Sequence, residues 1–240
     1  MKDGMSQRPP QADSGKIRAL RADDKRAALL KAARQLFIIR GYHDTRPQDI
    51  SRLAGVGYGT FYLHFEDKQA CFLAFSLEAQ KEFDQFVSAR LWGAHNLKEF
   101  MERGADAACE FSEQNPGLMA TLSIDMGVIA ADAAPSENLF RQWSKRWTRL
   151  VTYLTDTGQI APGLNPIIIT SILTNICNIS TYVFGHHRIP RREIAETLAR
   201  FVIQGLGLSE ADALRPMDVR AVLIGDAKME TAPAGAVPAA

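Results

Sequence analysis

Residues Thr45–Lys68, TRPQDISRLAGVGYGTFYLHFEDK, read as two short helices joined by a tight turn. Thr45 is placed to cap a helix that begins near Pro47, since its hydroxyl can accept from a free backbone N–H and proline at the first helical position supplies none. Asp49 falls in the first turn, where a carboxylate suits the positive helix end. Ile50, Leu53 and Ala54 share an inward face, Gly55 permits a sharp exit, and Val56 packs into the corner. The second helix buries Phe61 and Phe65 at i and i+4, which leaves Tyr58, Gly59 and Tyr62 on another side, with Thr60 at its edge.

That outward side suits duplex DNA. It offers two phenols, a hydroxyl and a glycine where the backbone can approach a groove, with His64 and Lys68 beyond and Arg46 at the start of the preceding helix. Taken singly, Tyr62 is an ordinary half-buried aromatic, His64 a surface histidine and Lys68 a solvated helix start. Their surroundings favour the joint reading. The chain has 240 residues and a net charge of only +1, but through Ala70 it carries thirteen Lys/Arg against eight Asp/Glu, and beyond it fifteen against nineteen. The charge is therefore +5 and then −4, and the basic end holds the two-helix motif. A rival reading of GVGYG as a nucleotide-binding loop fails, because Thr60 breaks G-x-G-x-x-G and no strand precedes it.

Outward from the motif the chain reads as helix throughout, an all-α fold. Asp24–Arg40 sets Leu29, Ala33, Leu36 and Phe37 on one stripe and is closed by Gly41. Lys68 opens a longer helix bearing Phe72, Phe75, Phe83, Phe86 and Val87. Later segments run from about Asn96 to Glu113, Pro116 to Ala131, Pro135 to Asp156, Pro166 to Gly185 and Pro190 to Gly205. These readings divide the chain into a disordered arm over 1–22, a three-helix DNA-binding domain over 23–80, a larger helical domain over 81–208 and a weakly ordered tail over 209–240. The opening residues have no apolar run fit for a signal peptide, so the expected compartment is cytoplasmic. Cys71, Cys109 and Cys177 lie far apart and read as reduced, packed thiols. The apolar stretch Pro166–Gly185 is broken by Asn175 and Asn178, which argues against a membrane span. No metal site, cofactor or catalytic residue is expected. His186-His187 reads as a solvated helix end.

Residues Leu29–Phe75 resemble the DNA-binding domain of the TetR family of bacterial transcription regulators. The resemblance is carried by AARQLFIIRGYHDTRPQDISRLAGVGYGTFYLHFEDK, with its RGY, its ISRLAGV core and its GTFYLHFEDK ending. It implies that the second motif helix enters the major groove, and that the helix from Lys68 leads to a larger domain for ligand binding and dimerisation. On matching positions it implies phosphate contacts from Tyr62, His64, Thr45 and Lys68, with Tyr58, Gly59 and Thr60 facing the bases. One residue departs from the pattern. Gly57 stands where the family commonly has Ser or Thr, so the second helix lacks its usual side-chain cap.

The acidic remainder offers aromatic and thioether bulk rather than a catalytic set. Phe140, Trp143, Trp147, Leu150, Val151 and Leu154 form a helical stripe, and Phe111, Met119 and Met126 precede it. For any one of these a plain core is the ordinary reading. The resemblance adds a cavity for a small hydrophobic or amphipathic effector, with Phe111, Met119, Met126, Phe140, Trp143 and Trp147 as candidate lining. Asn175, Asn178 and Tyr182 share a face of an otherwise apolar helix, and that face should meet a ligand, water or a mate subunit. Ile172, Leu173, Ile176, Ile179 and Val183, then Ile194, Leu198, Phe201 and Val202, offer apolar surface for a homodimer, which would present two reading helices to a palindromic operator. The expected function is a DNA-binding regulator, a repressor released by an apolar effector. The alternative is an apolar-ligand-binding enzyme or carrier with a vestigial helix-turn-helix.

Overall fold

In the computed structural model the backbone is described for residues 12–122, 139–160, 163–187 and 189–224, and the side chains for these residues except 12–22, 139–143, 177–187 and 224. The first helix, α1 (Ala12–Arg40), begins inside the segment expected as a disordered arm. Its stripe of Leu29, Ala33, Leu36 and Phe37 is buried, with Phe37 fully so. Gly41 ends the helix at φ +78°, a left-handed conformation costly for any residue with a Cβ, and returns its N–H to the Phe37 carbonyl at 2.9 Å. Next come α2 (Pro47–Leu53) and α3 (Tyr58–His64), separated by a turn in which Gly55 takes φ +68°. Ile50 and Phe61 are fully buried and Phe65 nearly so, and these anchor the two short helices.

The long helix α4 (Lys68–Leu91) follows. Its first turns bring Phe72 edge-on to Phe37, with ring centroids 5.0 Å apart, and Phe75 at 5.8 Å from the same ring. Both α4 phenylalanines are buried, each burial stabilising by roughly 1.5–3 kcal/mol.

The chain divides into two compact units between Leu77 and Glu78. In the second, α5 (Leu97–Gln114) starts on a cap that Asn96 makes by accepting from the Glu99 N–H. It is fastened to α4 by Arg90, whose guanidinium makes two hydrogen bonds to Glu110, 2.9 and 2.7 Å, while lying 3.6 Å over the Phe86 ring. Then come α6 (Leu139–Asp156), α7 (Pro166–His187) and α8 (Arg191–Gly205). Leu150, Val151 and Leu154 of α6 are buried in a core that also takes Leu97, Phe100, Leu173, Val202 and Leu206. No strand occurs among the described residues, and no described helix is long and apolar enough to cross a membrane. Cys71 and Cys109 are buried and outside any disulfide, and burial pushes the Cys109 thiol up to about 11.

The expectation of a weakly ordered tail from residue 209 is corrected as far as 224. Ser209 and Asp212 cap each other reciprocally to start α9 (Glu210–Ala213), and Asp218 accepts from the Arg220 N–H at the start of α10 (Val219–Ile224). Ala213, Met217, Val219 and Val222 enter the core of the second unit. The Met217 N–H donates to the His95 carbonyl at 2.9 Å, and Arg149 Nε donates to the Val222 carbonyl at 2.8 Å. Helices of four and six residues are too short to show a period, which is why the apolar spacing gave no warning.

The Thr45 cap is corrected as well. Arg46 occupies the N-cap of α2 without a side-chain capping hydrogen bond, and the Thr45 hydroxyl instead donates back to the Gly41 carbonyl at 2.8 Å with the residue fully buried. Thr45→Val keeps the shape and strands that carbonyl, so a loss of about 1–2 kcal/mol is expected in urea denaturation. Met217→Ala is expected to cost about 2–5 kcal/mol, the range for a buried methionine. A melting temperature unmoved by that change would show that 209–224 adds nothing to the core.

Candidate nucleic-acid interface and ligand cavity

The face of α3 opposite Phe61 is open. Tyr58 and Tyr62 are 45% and 47% exposed, their rings meet at right angles with centroids 5.2 Å apart, and their hydroxyls share a hydrogen bond of 2.7 Å. That bond raises the Tyr62 phenol above its ordinary value, so it stays a neutral donor and acceptor. Gly59, between them, is exposed, and a Cβ built on it would meet nothing within 4 Å. Gly57 is the N-cap of α3 and makes no side-chain cap, as its identity requires. Thr60 and His64 are half-buried at the edges of this face, and Arg46 is exposed at the start of α2.

Two of the expected phosphate contacts are placed differently. Thr45 has no exposed surface for a phosphate. Lys68 is half-buried, its ammonium donating to the Tyr42 and His43 carbonyls at 2.8 and 3.3 Å while lying 4.3 Å over the Tyr42 ring. It binds the loop after α1 to the start of α4, and that is its role in this conformation. The surface also includes residues that periodicity did not single out. Leu63 is 82% exposed, and Gln48 and Arg52 lie open on α2, with Arg52 3.4 Å from Asp49.

The second unit holds a cavity walled by five helices. Gln80, Phe83, Asp84, Val87 and Leu91 come from α4; Phe100, Met101, Gly104, Ala105 and Ala108 from α5. Arg146 and Trp147 come from α6, Thr174 and Ile176 from α7, and Leu198 from α8. Of the residues expected to line it, Trp147 does. Phe111 stands behind the wall, its ring 5.3 Å from Phe83 and 5.4 Å from Phe86. Met119 is buried outside the described wall. Asn175 is exposed and returns its amide to the Ser171 carbonyl at 2.8 Å, so it does not face the cavity. Met126 lies outside the described residues, as do the side chains of Phe140, Trp143, Asn178 and Tyr182.

The polar part of the wall was not anticipated. Arg146 Nη2 lies 3.1 Å from Asp84 Oδ1, from the Asp84 carbonyl and from Ser88 Oγ, tying α6 to α4. Burial raises the Asp84 carboxyl above its usual value against the opposing pull of Arg146, Arg149, Gln80 and Lys145. A pair 62 residues apart leaves no mark on local periodicity. Among the described residues no three His, Cys, Asp or Glu side chains are grouped to hold a metal ion.

Comparison with known proteins bears on both sites. Residues 29–75 match the family described as bacterial regulatory proteins, tetR family. The HTH-type transcriptional repressor DhaR of Mycobacterium sp. (strain GP1) is 26% identical over 155 residues, covering 62% of this chain and 76% of that protein. The fold is shared with the fatty acid degradation regulator FadR from Bacillus halodurans, at a TM-score of 0.62 and 16% identity, over 80% of this chain and 97% of that one. It is shared too with the transcriptional regulator FadR from Bacillus subtilis in complex with stearoyl-CoA, at a TM-score of 0.60 and 15% identity, over 75% and 98%. The helix-turn-helix with its open α3 face thus lies in the segment, residues 29–75, that matches the tetR family of bacterial regulatory proteins.

Proposed function

We propose that this chain is a homodimeric repressor that binds a palindromic operator and is released from it by a small, largely apolar effector held in the cavity of the second unit. The observation that carries the proposal is the continuity of α4. Its first residue, Lys68, holds the Tyr42 and His43 carbonyls beside α2, and its last three turns supply Gln80, Phe83, Asp84, Val87 and Leu91 to the cavity wall. A ligand that shifts this wall acts on the helix that seats the DNA-reading pair. Coupling of about 1–3 kcal/mol is usual for such linkage. DhaR, which is named a repressor, and the stearoyl-CoA complex of a protein of like fold lend support.

The dimer reading is supported by apolar surface left open. On α7, Ile167, Ile168 and Ile172 are 77%, 58% and 46% exposed and share a face with Ser171 and Asn175; on α8, Phe201 is 63% exposed. The sequence pattern credited the dimer with more than the structure leaves available. Leu173, Ile194 and Val202 are buried within the subunit.

The proposed DNA contacts are Tyr58, Gly59 and Thr60 to base edges and Arg46, Tyr62 and His64 to phosphates, with Lys68 acting chiefly by fixing the loop. Gly59→Ala fits the open space and removes the flexibility of glycine, so the fold should gain up to about 1 kcal/mol while operator affinity drops, because the added methyl stands between helix and groove. Arg46→Ala should weaken binding to all duplexes and lower the slope of log affinity against log salt by about 1 per subunit. Tyr62→Ala should weaken binding with the slope unchanged, since a phenol releases no counterion. Fluorescence anisotropy with an operator selected from random duplexes reads all three, and affinities unaffected in all three would remove α3 from the interface.

A further inference from the structure

The seven residues of α3, YGTFYLH, turn by about 100° each, so their directions can be set out from the fully buried Phe61. Tyr58 and Tyr62 fall on one flank, Thr60 and His64 on the other. Gly59 and Leu63, two residues to either side of Phe61, each point about 160° away from it and together form the crest of the helix. Burial agrees with this placement. Leu63 is 82% exposed, and a Cβ built on Gly59 meets nothing within 4 Å, so no atom of the leucine folds back over the glycine.

What that crest can recognise is limited by its composition. The helix has no Arg or Lys to grip the two acceptors of guanine, no Asn or Gln to pair with adenine, and no carboxylate to accept from cytosine. Its polar side chains are two phenols, one hydroxyl and one imidazole, and the phenols share a hydrogen bond of 2.7 Å with each other. Leu63 can neither donate nor accept, so neither a phosphate nor the polar part of a base edge offers it a bond. One exposed leucine is ordinary on a protein surface, and this one adds nothing to the core of its own unit. Its place is what matters. It stands where α3 comes nearest to a groove, beside a glycine that lets the backbone approach, and the apolar feature that base edges show in the major groove is the thymine 5-methyl group.

We propose that Leu63 selects a thymine in each operator half-site by seating against its 5-methyl group. This rests on the reading of α3 as the helix that enters the major groove, and adds to it a residue that chooses a base and the base chosen. Removing the methyl forfeits the burial of one carbon against hydrocarbon, about fourfold in affinity per half-site.

The test uses the full-length protein and an operator selected from random duplexes. Each thymine of the half-sites is replaced in turn, at both symmetry-related places, by deoxyuridine, which removes the methyl and keeps the base pairing and the O4 acceptor. Fluorescence anisotropy is expected to find one position where the exchange weakens binding about fifteenfold, two half-sites at about fourfold each. Leu63→Ala, at an exposed position where alanine favours the helix, should weaken the thymine operator at least as far and be indifferent to uracil at that position. The deoxyuridine duplexes are read on the native protein, so they decide the matter even if the variant fails to fold. An operator with no thymine in its half-sites, or one at which no position responds to loss of the methyl, overturns the assignment. So does a methyl response that Leu63→Ala retains, which would give the methyl to another residue such as Thr60. Each of these three results leaves α3 as the reading helix. Failure to select any duplex overturns the DNA-binding reading itself, and this inference with it.

Discussion

The DNA-reading unit depends on how the first two turns of α4 are held. Lys68 accomplishes this at the surface, with its ammonium on two loop carbonyls and the Tyr42 ring, and Phe72 and Phe75 do so underneath, against Phe37. Tyr42 joins the two layers, since its ring also lies 5.2 Å from that of Phe72. The loop thus fixed carries Thr45, whose buried hydroxyl closes on Gly41, and leads directly into α2. Two helices of seven residues could not persist alone, because each forms few backbone bonds for the dihedrals it fixes. They are stable as parts of a cluster centred on Phe37, Ile50, Phe61 and Phe72, all fully buried. The open face of α3 is a consequence of that division. With Phe61 and Phe65 holding the helix from one side, Tyr58, Gly59 and Tyr62 are left on the open side, where the two phenols bond to each other.

The second unit solves a different problem. Its helices bury a large apolar core around a cavity, and ion pairs tie the wall helices to one another. Arg90 with Glu110 clamps α4 to α5, and Arg146 with Asp84 ties α4 to α6. The short helices after residue 209 close the core from one end through Met217, Val219 and Val222. Because α4 runs through both arrangements, its position is the quantity on which the proposed effector and operator would compete.

Much of this was legible in the residues. The stripe Leu29, Ala33, Leu36 and Phe37, the pair Phe61 and Phe65, and the turn at Gly55 follow from helical period and backbone sterics, which act over a few residues. The open α3 face followed by subtraction. Thr45 was misread because a threonine before a helix can either accept from the helix start or donate back to the carbonyl four residues earlier, and its burial, a tertiary property, decides between them. Lys68 reads as a solvated helix start until the loop 25 residues before it is brought alongside. The polar end of the cavity was the least visible part, since Gln80, Asp84 and Arg146 lie on different helices and none of them breaks an apolar pattern that would have drawn notice. Signals for the 209–224 segment were present in Ser209-x-x-Asp212 and in the spacing of Met217, Val219 and Val222, but too short to stand against an Ala- and Pro-rich terminus.

If one helix serves cavity and DNA, their binding is reciprocal. The direct measurement takes decanoate as a simple amphiphilic probe of the cavity and reads its affinity for the full-length protein by calorimetry, alone and again when saturated with a selected operator duplex. Shared use of α4 predicts that operator weakens decanoate by about 5–150-fold, the same factor by which decanoate weakens operator. Identical decanoate affinity in the two titrations would show that cavity and reading helices are uncoupled, and would contradict control of DNA binding through α4.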